Sequence, residues 1–235
     1  MFCKDYLSFR LTGKVATDYS DISASGLMDN TTGGYNQELF ERMGIPEMFG
    51  TLPECIRGYD LRGTVSARGA ADTGLPTGIP VIGGMFDVDA CAYGCGTITP
   101  ESVCCIAGTW NINCMVAEEM RYSNRIRQCV MRTDGRTSLM IDSSATSAVN
   151  IKWYMEKLLK VDRRDYDHFD RDMSDHIFSS GSPYFIPFVN GSLNTNAIKA
   201  AFAGIDITCG PDTLFAAVYE GICFAHRWHL ENLAC

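Results

Sequence analysis

The spacing of apolar residues predicts helices in three parts of the chain. Residues 36–43 form a brief amphipathic helix that Gly44 and Pro46 end, and residues 146–160 place apolar side chains at helical spacing. Pro211 suits the first turn of a helix, and helical spacing follows it to about residue 233. Four apolar residues of this last segment share one stripe: Leu214, Val218, Ile222 and Ala225. The last segment is therefore predicted to be a long helix with one buried face.

Strand patterns dominate the middle of the chain. Residues 103–108 are apolar with strand character, and residues 111–117 alternate between polar and apolar. Residues 126–132 and 137–141 flank an Asp-Gly pair, which is a strong hairpin signal. The change from loops and short helices to hairpins predicts a domain boundary near residue 97.

A glycine pair followed by aspartates is the most informative segment. Pro80–Ile82 is predicted to be a short buried strand, and Gly83 and Gly84 then let the backbone turn sharply before Asp87. Because α/β proteins place their chemistry at the carboxyl ends of strands, Asp87 is a candidate catalytic carboxylate. The spacing alone supports a helix-capping aspartate equally well.

A second candidate site is the turn at Gly108 and Thr109 between two predicted strands. A glycine and a hydroxyl residue in a tight turn present N–H and O–H groups to one point, as a phosphate cradle without lysine does. Taken alone, the same pair is more often an ordinary hairpin turn. The assignment therefore needs support from the rest of the sequence.

Composition and charge exclude several classes of protein. The 235 residues are 46% hydrophobic and 20% charged, which is typical of a globular protein. The 28 acidic and 20 basic residues give a net charge of -8, which argues against a nucleic-acid surface. No apolar run approaches the ~20 residues that cross a bilayer, and Lys4 and Asp5 fall where a signal peptide would be apolar. The 11 scattered cysteines favour a reduced, cytoplasmic protein over a disulfide scaffold.

The sequence offers no complete set of metal ligands. His226 and His229 lie three residues apart on the predicted last helix, but the spacing names no third ligand, so a role at the helix surface or end is favoured. The acidic run at 162–176 lacks the glycine and terminal glutamate of an EF-hand loop and is interleaved with arginines. This run is predicted to be a solvated face, and no metal site is predicted.

Five segments of the chain, taken in order, resemble those of the FGGY family of carbohydrate kinases. They are KDYLSFRLTG with TDYSDIS, the stretch from GTVSARG to CAYGCG, IAGTW, YFIPFVNGS through AAFAGI, and LFAAVYEGICFAHRWHLENL. Each segment is modest support, and the complete set in family order is strong support. The MFD and GTW variants are most similar to the L-xylulose kinase-like branch of the family.

The resemblance implies an α/β chain with the ribonuclease H-like (actin-like ATPase) fold, as two partial domains with an interdomain cleft. Residues 1–97 would be the C-terminal part of the family's N-terminal domain and would carry the catalytic aspartate. Residues 98–235 would be the N-terminal part of its C-terminal domain and would carry the phosphate-binding turn. We expect ATP and sugar to bind in the cleft.

The resemblance also implies ATP-dependent phosphorylation of a primary hydroxyl of a ketose or polyol, most typically a pentulose such as xylulose. The residues carried over are Asp87 as the catalytic base, Asp87, Phe86 and Val88 beside the sugar, and Gly108, Thr109 and Trp110 on the nucleotide phosphates. ATP and Mg²⁺ are the implied cofactors. The implied partner is a small-molecule sugar in the cytoplasm, with no nucleic acid and no membrane, and a homodimer is compatible with it.

The chain departs from the family pattern in several places. The family's first nucleotide motif, its N-terminal sugar loop and its C-terminal glycine-rich adenosine motif have no counterpart, so we hypothesise a fragment that is inactive alone. Val88 stands where relatives often carry Asn or Gln, and residues 190–192 read Asn-Gly-Ser in place of Gly-Glu-Arg. Two alternatives stay open: a non-catalytic sugar-binding or interaction protein, and an actin-like ATPase that acts on partners.

Overall fold

The computed structural model of the chain describes residues 1–100, 102–161, 176–192 and 198–235. Its backbone divides into two compact units. The first unit comprises Met1–Val103, Met115–Asn124 and Gln128–Met140, and the second comprises Cys104–Cys114, Arg125–Arg127 and Ile141–Cys235. The predicted solvated face at 162–176 lies, except for its last residue, outside the described residues. No helix among the described ranges is long and apolar enough to cross a membrane.

The first unit alternates short helices and short strands. Its helices are α1 (Cys3–Thr12), α2 (Tyr19–Ser25), α3 (Gln37–Arg42), a 3-10 helix (Pro46–Thr51), α4 (Ala67–Thr73) and α5 (Asp87–Gly94). Its strands before residue 100 are β1 (Ala16–Asp18), β2 (Met28–Asp29), β3 (Gly34–Tyr35), β4 (Glu54–Ile56), β5 (Leu61–Thr64) and β6 (Pro80–Ile82). The predicted helix at 36–43 is confirmed as α3.

Local sequence signals account for the starts and ends of these helices. Asp18 caps α2 by accepting the N–H groups of Ser20 and Asp21, and Ser66 caps α4 through the N–H of Gly69. Helix α1 ends at Gly13, whose left-handed backbone (φ +76°) is available to glycine at little cost. The segment KDYLSFRLTG is therefore a helix that ends at its glycine.

Three two-stranded sheets belong to the first unit. Strand β1 pairs with β4 in parallel, and β2 with β3 and β5 with β6 pair antiparallel. Strand β6 was predicted to be buried, and that prediction is wrong: Pro80 and Ile82 are exposed. Strand β6 pairs with β5, and their partner residues Leu61 and Ile82 are both exposed, so one face of this two-stranded sheet is open to solvent.

A four-stranded sheet has the order β7-β8-β10-β9. Its strands are β7 (Val103–Ala107), β8 (Asn111–Ala117), β9 (Gln128–Met131) and β10 (Ser138–Ser144). Three of these strands, β7, β8 and β10, contribute residues to both units. Strands β9 and β10 are adjacent and flank the turn at 132–137, which confirms the predicted Asp-Gly hairpin.

The second unit is built on a long helix. Its elements are α6 (Ala148–Trp153), a π-helix (Tyr154–Leu159), β11 (Tyr184–Ile186), β12 (Ala201–Ala203) and α7 (Pro211–Leu233). The predicted stripe on α7 is confirmed, since Val218, Ile222 and Ala225 are buried. Gly221 permits close packing of α7 on β11, because a Cβ atom there would lie 2.4 Å from the carbonyl oxygen of Phe185. Aromatic side chains fill the core around it.

Candidate active site

The loop between β6 and α5 is held on both sides. Gly84 has a left-handed backbone (φ +79°), its N–H donates to the Gly58 carbonyl (2.9 Å), and its carbonyl accepts from Thr133 Oγ1 (3.2 Å). A Cβ atom on Gly83 would lie 2.8 Å from the carbonyl oxygen of Arg57. One glycine is therefore required for its dihedral angle and the other for the close approach of two backbones.

Asp87 begins α5 with an accessible carboxylate. The N–H of Phe86 donates to Ser20 Oγ (2.8 Å), which fixes the entry to the helix. Asp87 is exposed and its Oδ1 accepts from the N–H of Val88 (2.7 Å), while Phe86 and Val88 are half-buried. The capping position is Phe86, so Asp87 is the first helical residue and not the cap. A carboxylate is favoured there by the positive end of the helix dipole.

A buried ion pair ties α5 to the β9–β10 turn. Asp89 accepts from Arg132 Nε (2.7 Å) and from the N–H of Thr133 (3.0 Å), and the Arg132 guanidinium lies 3.8 Å above the ring of Tyr93. Burial raises the pKa of Asp89, while the hydrogen bonds from Thr133 and Arg132 oppose that rise. Because Asp89 lies half a turn beyond Asp87, the pair also fixes the orientation of the Asp87 end of the helix.

Thr133 joins four segments of the first unit. Its N–H donates to Asp89, and its carbonyl accepts the N–H of Gly58 (3.1 Å). Its hydroxyl lies 3.0 Å from Asp18 Oδ2 and 3.2 Å from the carbonyl oxygen of Gly84. The turn after β9 is therefore the common anchor of the α2 cap, the glycine loop and α5.

Asp87 lies on the wall of a pocket of about 490 Å³ in the first unit. That volume is within the range of about 300–1,000 Å³ that small-molecule sites occupy. The pocket brings together the first turn of α1, the middle and end of α2, the residues before α5 and the start of β9. Its lining residues are Phe2, Cys3, Lys4, Asp21, Ala24, Ser25, Met85, Phe86, Asp87 and Gln128. Val88, one of the predicted sugar contacts, is not among them.

Lys4 and Asp21, which line this pocket, belong to a cluster of charged side chains. Lys4 Nζ lies 2.9 Å from Asp5, 3.0 Å from Asp18 and 2.8 Å from Asp21, and Arg62 Nη1 lies 3.1 Å from Asp5. Burial acts to lower the pKa of Lys4, but hydrogen bonds to Asp21 and Asp5 and the Asp18 charge outweigh it and raise that pKa. Burial raises the pKa of Asp21 to about 6. The cluster is therefore held together by ion pairs to Lys4. Its charge changes with pH near 6, where Asp21 titrates.

The predicted phosphate turn belongs to the second unit. The carbonyl of Gly108 accepts the N–H of Ala148 (2.9 Å), and the carbonyl of Thr109 accepts the N–H of Ser147 (3.0 Å). Thr109 and Trp110 are exposed, and Gly108 is half-buried. These two bonds fix the turn against the start of α6, and its role toward a phosphate stays a prediction.

The two histidines of α7 each contact a polar side chain of the same unit. His226 Nδ1 lies 2.7 Å from Asn113 Oδ1, and buried His229 Nδ1 lies 2.7 Å from Asp142 Oδ2. Burial lowers the pKa of His226, and the charge of His229 adds to that effect. The described residues contain no group of three or more potential metal ligands.

Sequence reasoning named Asp87 and Phe86 in the pocket and missed most of its other residues. Lys4 and Asp21 lie within KDYLSFRLTG and TDYSDIS. Both segments carry the family resemblance, but the pattern did not indicate that these two side chains line the pocket. Gln128 is the first residue of strand β9. Because Gln128 is far along the chain from Asp87 and no motif links the two residues, the sequence did not indicate that they share a pocket.

Comparison with known proteins shows similarity to carbohydrate kinases in sequence and in structure. Residues 1–94 match the profile of the FGGY family of carbohydrate kinases, N-terminal domain. A probable L-xylulose kinase of Haemophilus influenzae is 30% identical over 230 residues, covering 97% of this chain and 47% of that protein. The L-xylulose/3-keto-L-gulonate kinase of Escherichia coli is 28% identical, covering 99% of this chain and 46% of that protein.

Solved structures share the fold. The crystal structure of a xyloylose kinase from Brucella ovis superposes with a TM-score of 0.88 at 26% identity, covering 100% of this chain and 48% of that chain. Plasmodium falciparum glycerol kinase with ADP gives a TM-score of 0.85 at 20% identity, covering 100% of this chain and 47% of that one, and shows the fold alone. The predicted α/β, ribonuclease H-like (actin-like ATPase) class is confirmed.

The chain spans about half the length of the curated relatives it matches. Within that span, the sequence similarity runs over both compact units and the structural similarity covers the whole chain. The predicted resemblance is confirmed on both counts. Residues 1–94 of this chain match the N-terminal domain of the FGGY family of carbohydrate kinases, and the curated relatives that match nearly the whole chain are named as sugar kinases.

Proposed function

We propose that the protein containing this chain transfers the γ-phosphoryl group of ATP to a primary hydroxyl of a ketose or polyol. The observation that carries the proposal is the exposed Asp87 carboxylate on the wall of a pocket of about 490 Å³. Hydrogen bonds of Gly84 and Phe86 hold the loop that positions it. A fixed, accessible carboxylate is what a general base for a sugar hydroxyl requires.

In the proposed step, Asp87 accepts the proton of the sugar's primary hydroxyl. The hydroxyl oxygen forms a bond to the γ-phosphorus as the bond from that phosphorus to the ADP oxygen breaks. Phosphoryl transfer depends mainly on positioning and charge stabilisation, so a preorganised loop is as valuable as a strong base. Phe86 would pack against the sugar from the pocket wall, and Val88 would support it from behind.

Gly108, Thr109 and Trp110 are assigned to the nucleotide phosphates. The bonded carbonyls of Gly108 and Thr109 leave the turn's N–H and hydroxyl groups as its contribution to an anion. Mg²⁺, when bound, would neutralise phosphate charge, and it is held largely by phosphate oxygens and water with few protein ligands. In this assignment residues 1–97 supply the base and residues 98–235 supply the phosphate turn.

The proposed substrate is a pentulose such as xylulose. The relatives carry names of L-xylulose and xylulose kinases, and the pocket is large enough to admit a sugar of that size. The cytoplasm is the proposed location. A homodimer stays a prediction.

Substitution of Asp87 tests the assignment in the protein that contains this chain. Asp87→Asn keeps the shape and removes the base, so ADP release with xylulose should fall by about 100-fold or more. The affinity for the sugar, measured by calorimetry, should change by less than about threefold, because hydrogen bonding by the amide replaces most of the ground-state contact. Asp72→Asn, which removes an exposed carboxylate paired with Arg10, is the matched control and should leave the rate unchanged.

Two results would overturn the proposal. One is an Asp87→Asn variant that retains more than about a hundredth of the rate. The other is the finding that the protein containing this chain binds xylulose while Mg-ATP gives no protection of residues 108–110, which would favour a non-catalytic sugar-binding protein.

A further inference from the structure

A chain of neutral polar side chains lies in the core of the second unit, beginning directly after the phosphate turn. Asn111 and Asn113 are fully buried on β8, and Asn113 Nδ2 donates to Asn111 Oδ1. Asn113 Oδ1 can only accept, so His226 donates to it from Nδ1 across 2.7 Å. In the neutral imidazole this tautomer leaves Nε2 as an acceptor.

The acceptor nitrogen of His226 faces Ser147. The Ser147 hydroxyl lies 3.4 Å from His226 Nε2, a long contact compared with the 2.7 Å bond to Asn113. Ser147 is fully buried and its N–H donates to the carbonyl of Thr109 (3.0 Å). Its carbonyl accepts from Asn150 Nδ2 (2.8 Å) and from the N–H of Asn150 (2.9 Å). Every polar group of Ser147 is therefore engaged, and one of those bonds holds the turn.

The arrangement is costly if its only purpose is packing. A core built of apolar residues of similar volume would avoid the cost of removing the polar side chains of Asn111, Asn113 and Ser147 from water. The polar chain also fixes the orientation of its side chains, because each hydrogen bond determines which atoms of the next side chain can donate or accept. It runs from the helix α7 through Ser147 to the backbone of Thr109.

We propose that His226 is a positioning residue for the turn at Gly108, Thr109 and Trp110, and that it acts through Ser147. The value of that positioning for phosphate binding rests on the proposed kinase function. The positioning itself does not, because it concerns only contacts within the second unit.

Amide hydrogen exchange of the chain without nucleotide tests the positioning. His226→Leu removes both hydrogen bonds of the imidazole, and Ser147→Ala removes only the hydroxyl while keeping the amide that bonds Thr109. We expect peptides covering residues 108–111 to exchange about tenfold faster in His226→Leu and a few-fold faster in Ser147→Ala. Peptides covering 211–218 of α7 should exchange as they do in the unmodified chain.

Two further variants separate positioning from loss of stability. His226→Gln can donate to Asn113 and accept from Ser147, so exchange at 108–111 should stay within about twofold of the unmodified chain. Arg227→Gln is the matched control on the same helix, since Arg227 is exposed and pairs only with Glu231 among the described residues. It should not alter exchange at the turn. If His226→Leu fails to fold, the comparison of Ser147→Ala with Arg227→Gln still decides the question.

The outcomes distinguish this inference from the proposed function. Equal exchange at 108–111 in all variants, or faster exchange throughout the second unit, would overturn the positioning role. Addition of Mg-ATP to the unmodified protein that contains this chain should slow exchange at 108–111, and absence of that protection would instead count against the proposed phosphate site. Loss of Mg-ATP protection in His226→Leu with its retention in His226→Gln would support both.

Discussion

The Asp87 loop and the Gly108–Trp110 turn are both held by buried polar groups, but the charges of the two supports differ. Around Asp87 the support is ionic: Asp89 pairs with Arg132, and Lys4 with three carboxylates. Around the turn it consists of backbone amides, carboxamides, a serine and a histidine with a lowered pKa. Removing one member of an ionic support leaves a buried charge, whereas removing one member of a neutral support leaves an unsatisfied dipole. The loop should therefore be the more fragile and the more pH-sensitive of the two.

Glycine substitutions give the largest expected difference between the two regions. A Cβ atom on Gly58 would lie 2.0 Å from Thr133 Oγ1 and 2.3 Å from the carbonyl oxygen of Gly84, so Gly58→Ala should destabilise the chain by about 3 kcal/mol or more. The nearest atom to a Cβ on Gly108 is 3.7 Å away, and Gly108→Ala should cost less than about 1 kcal/mol. Urea denaturation followed by circular dichroism measures both. Similar costs for the two variants would contradict the comparison.

Breaking the Asp89–Arg132 pair is the next largest effect. Arg132→Leu leaves the Asp89 carboxylate buried without its partner, and the free energy of unfolding should fall by about 3 kcal/mol. The double variant with Asp89→Leu should regain at least half of that loss, because no charge then remains buried. A neutral counterpart, Asn150→Ala in the second unit, should cost about 1 kcal/mol. A double variant as unstable as Arg132→Leu alone would show that the pairing is not the cause.

The pH dependence of Asp21 gives a smaller effect. Its pKa in the folded chain is about 6, above the ordinary value of 3.8, so the folded state holds a proton that the unfolded chain releases. The free energy of unfolding should therefore fall by about 2 kcal/mol as the pH rises from about 4 to about 6, and stay lower above that. Asp21→Asn resembles the protonated form, so the variant should be more stable than the unmodified chain at pH 7.5 and should match it near pH 3.5. Parallel stability curves for the two proteins would rule out Asp21 as the titrating group.

Much of the fold follows from local signals in the sequence. Asp18 caps α2, the Asp-Gly pair at 134–135 forms a hairpin turn, and Pro211 begins a long helix with the predicted buried face. Each of these signals acts within a few residues, where propensity and periodicity are informative. The exposure of β6 could not be predicted in this way, because it depends on which distant parts of the chain pack on the faces of the strand.

Only those parts of the candidate site that lie within one short segment of the sequence could be predicted. The glycine pair before Asp87 indicated the loop, and the family resemblance assigned the base. The ionic support could not be predicted, since Arg132 lies 43 residues from Asp89 and neither residue type is expected in a core. Likewise, nothing in the pattern around His226 indicates Asn113, because the two meet only through tertiary packing.

The four-way junction at Thr133 has an evolutionary consequence. Asp18, Gly58, Gly84 and Asp89 each share a hydrogen bond with this one residue, so a change at any of the five positions alters the surroundings of the other four. Tolerated replacements should therefore be strongly epistatic. In descendant sequences, single replacements at these five positions should be lost, whereas combinations of replacements that compensate one another should be retained.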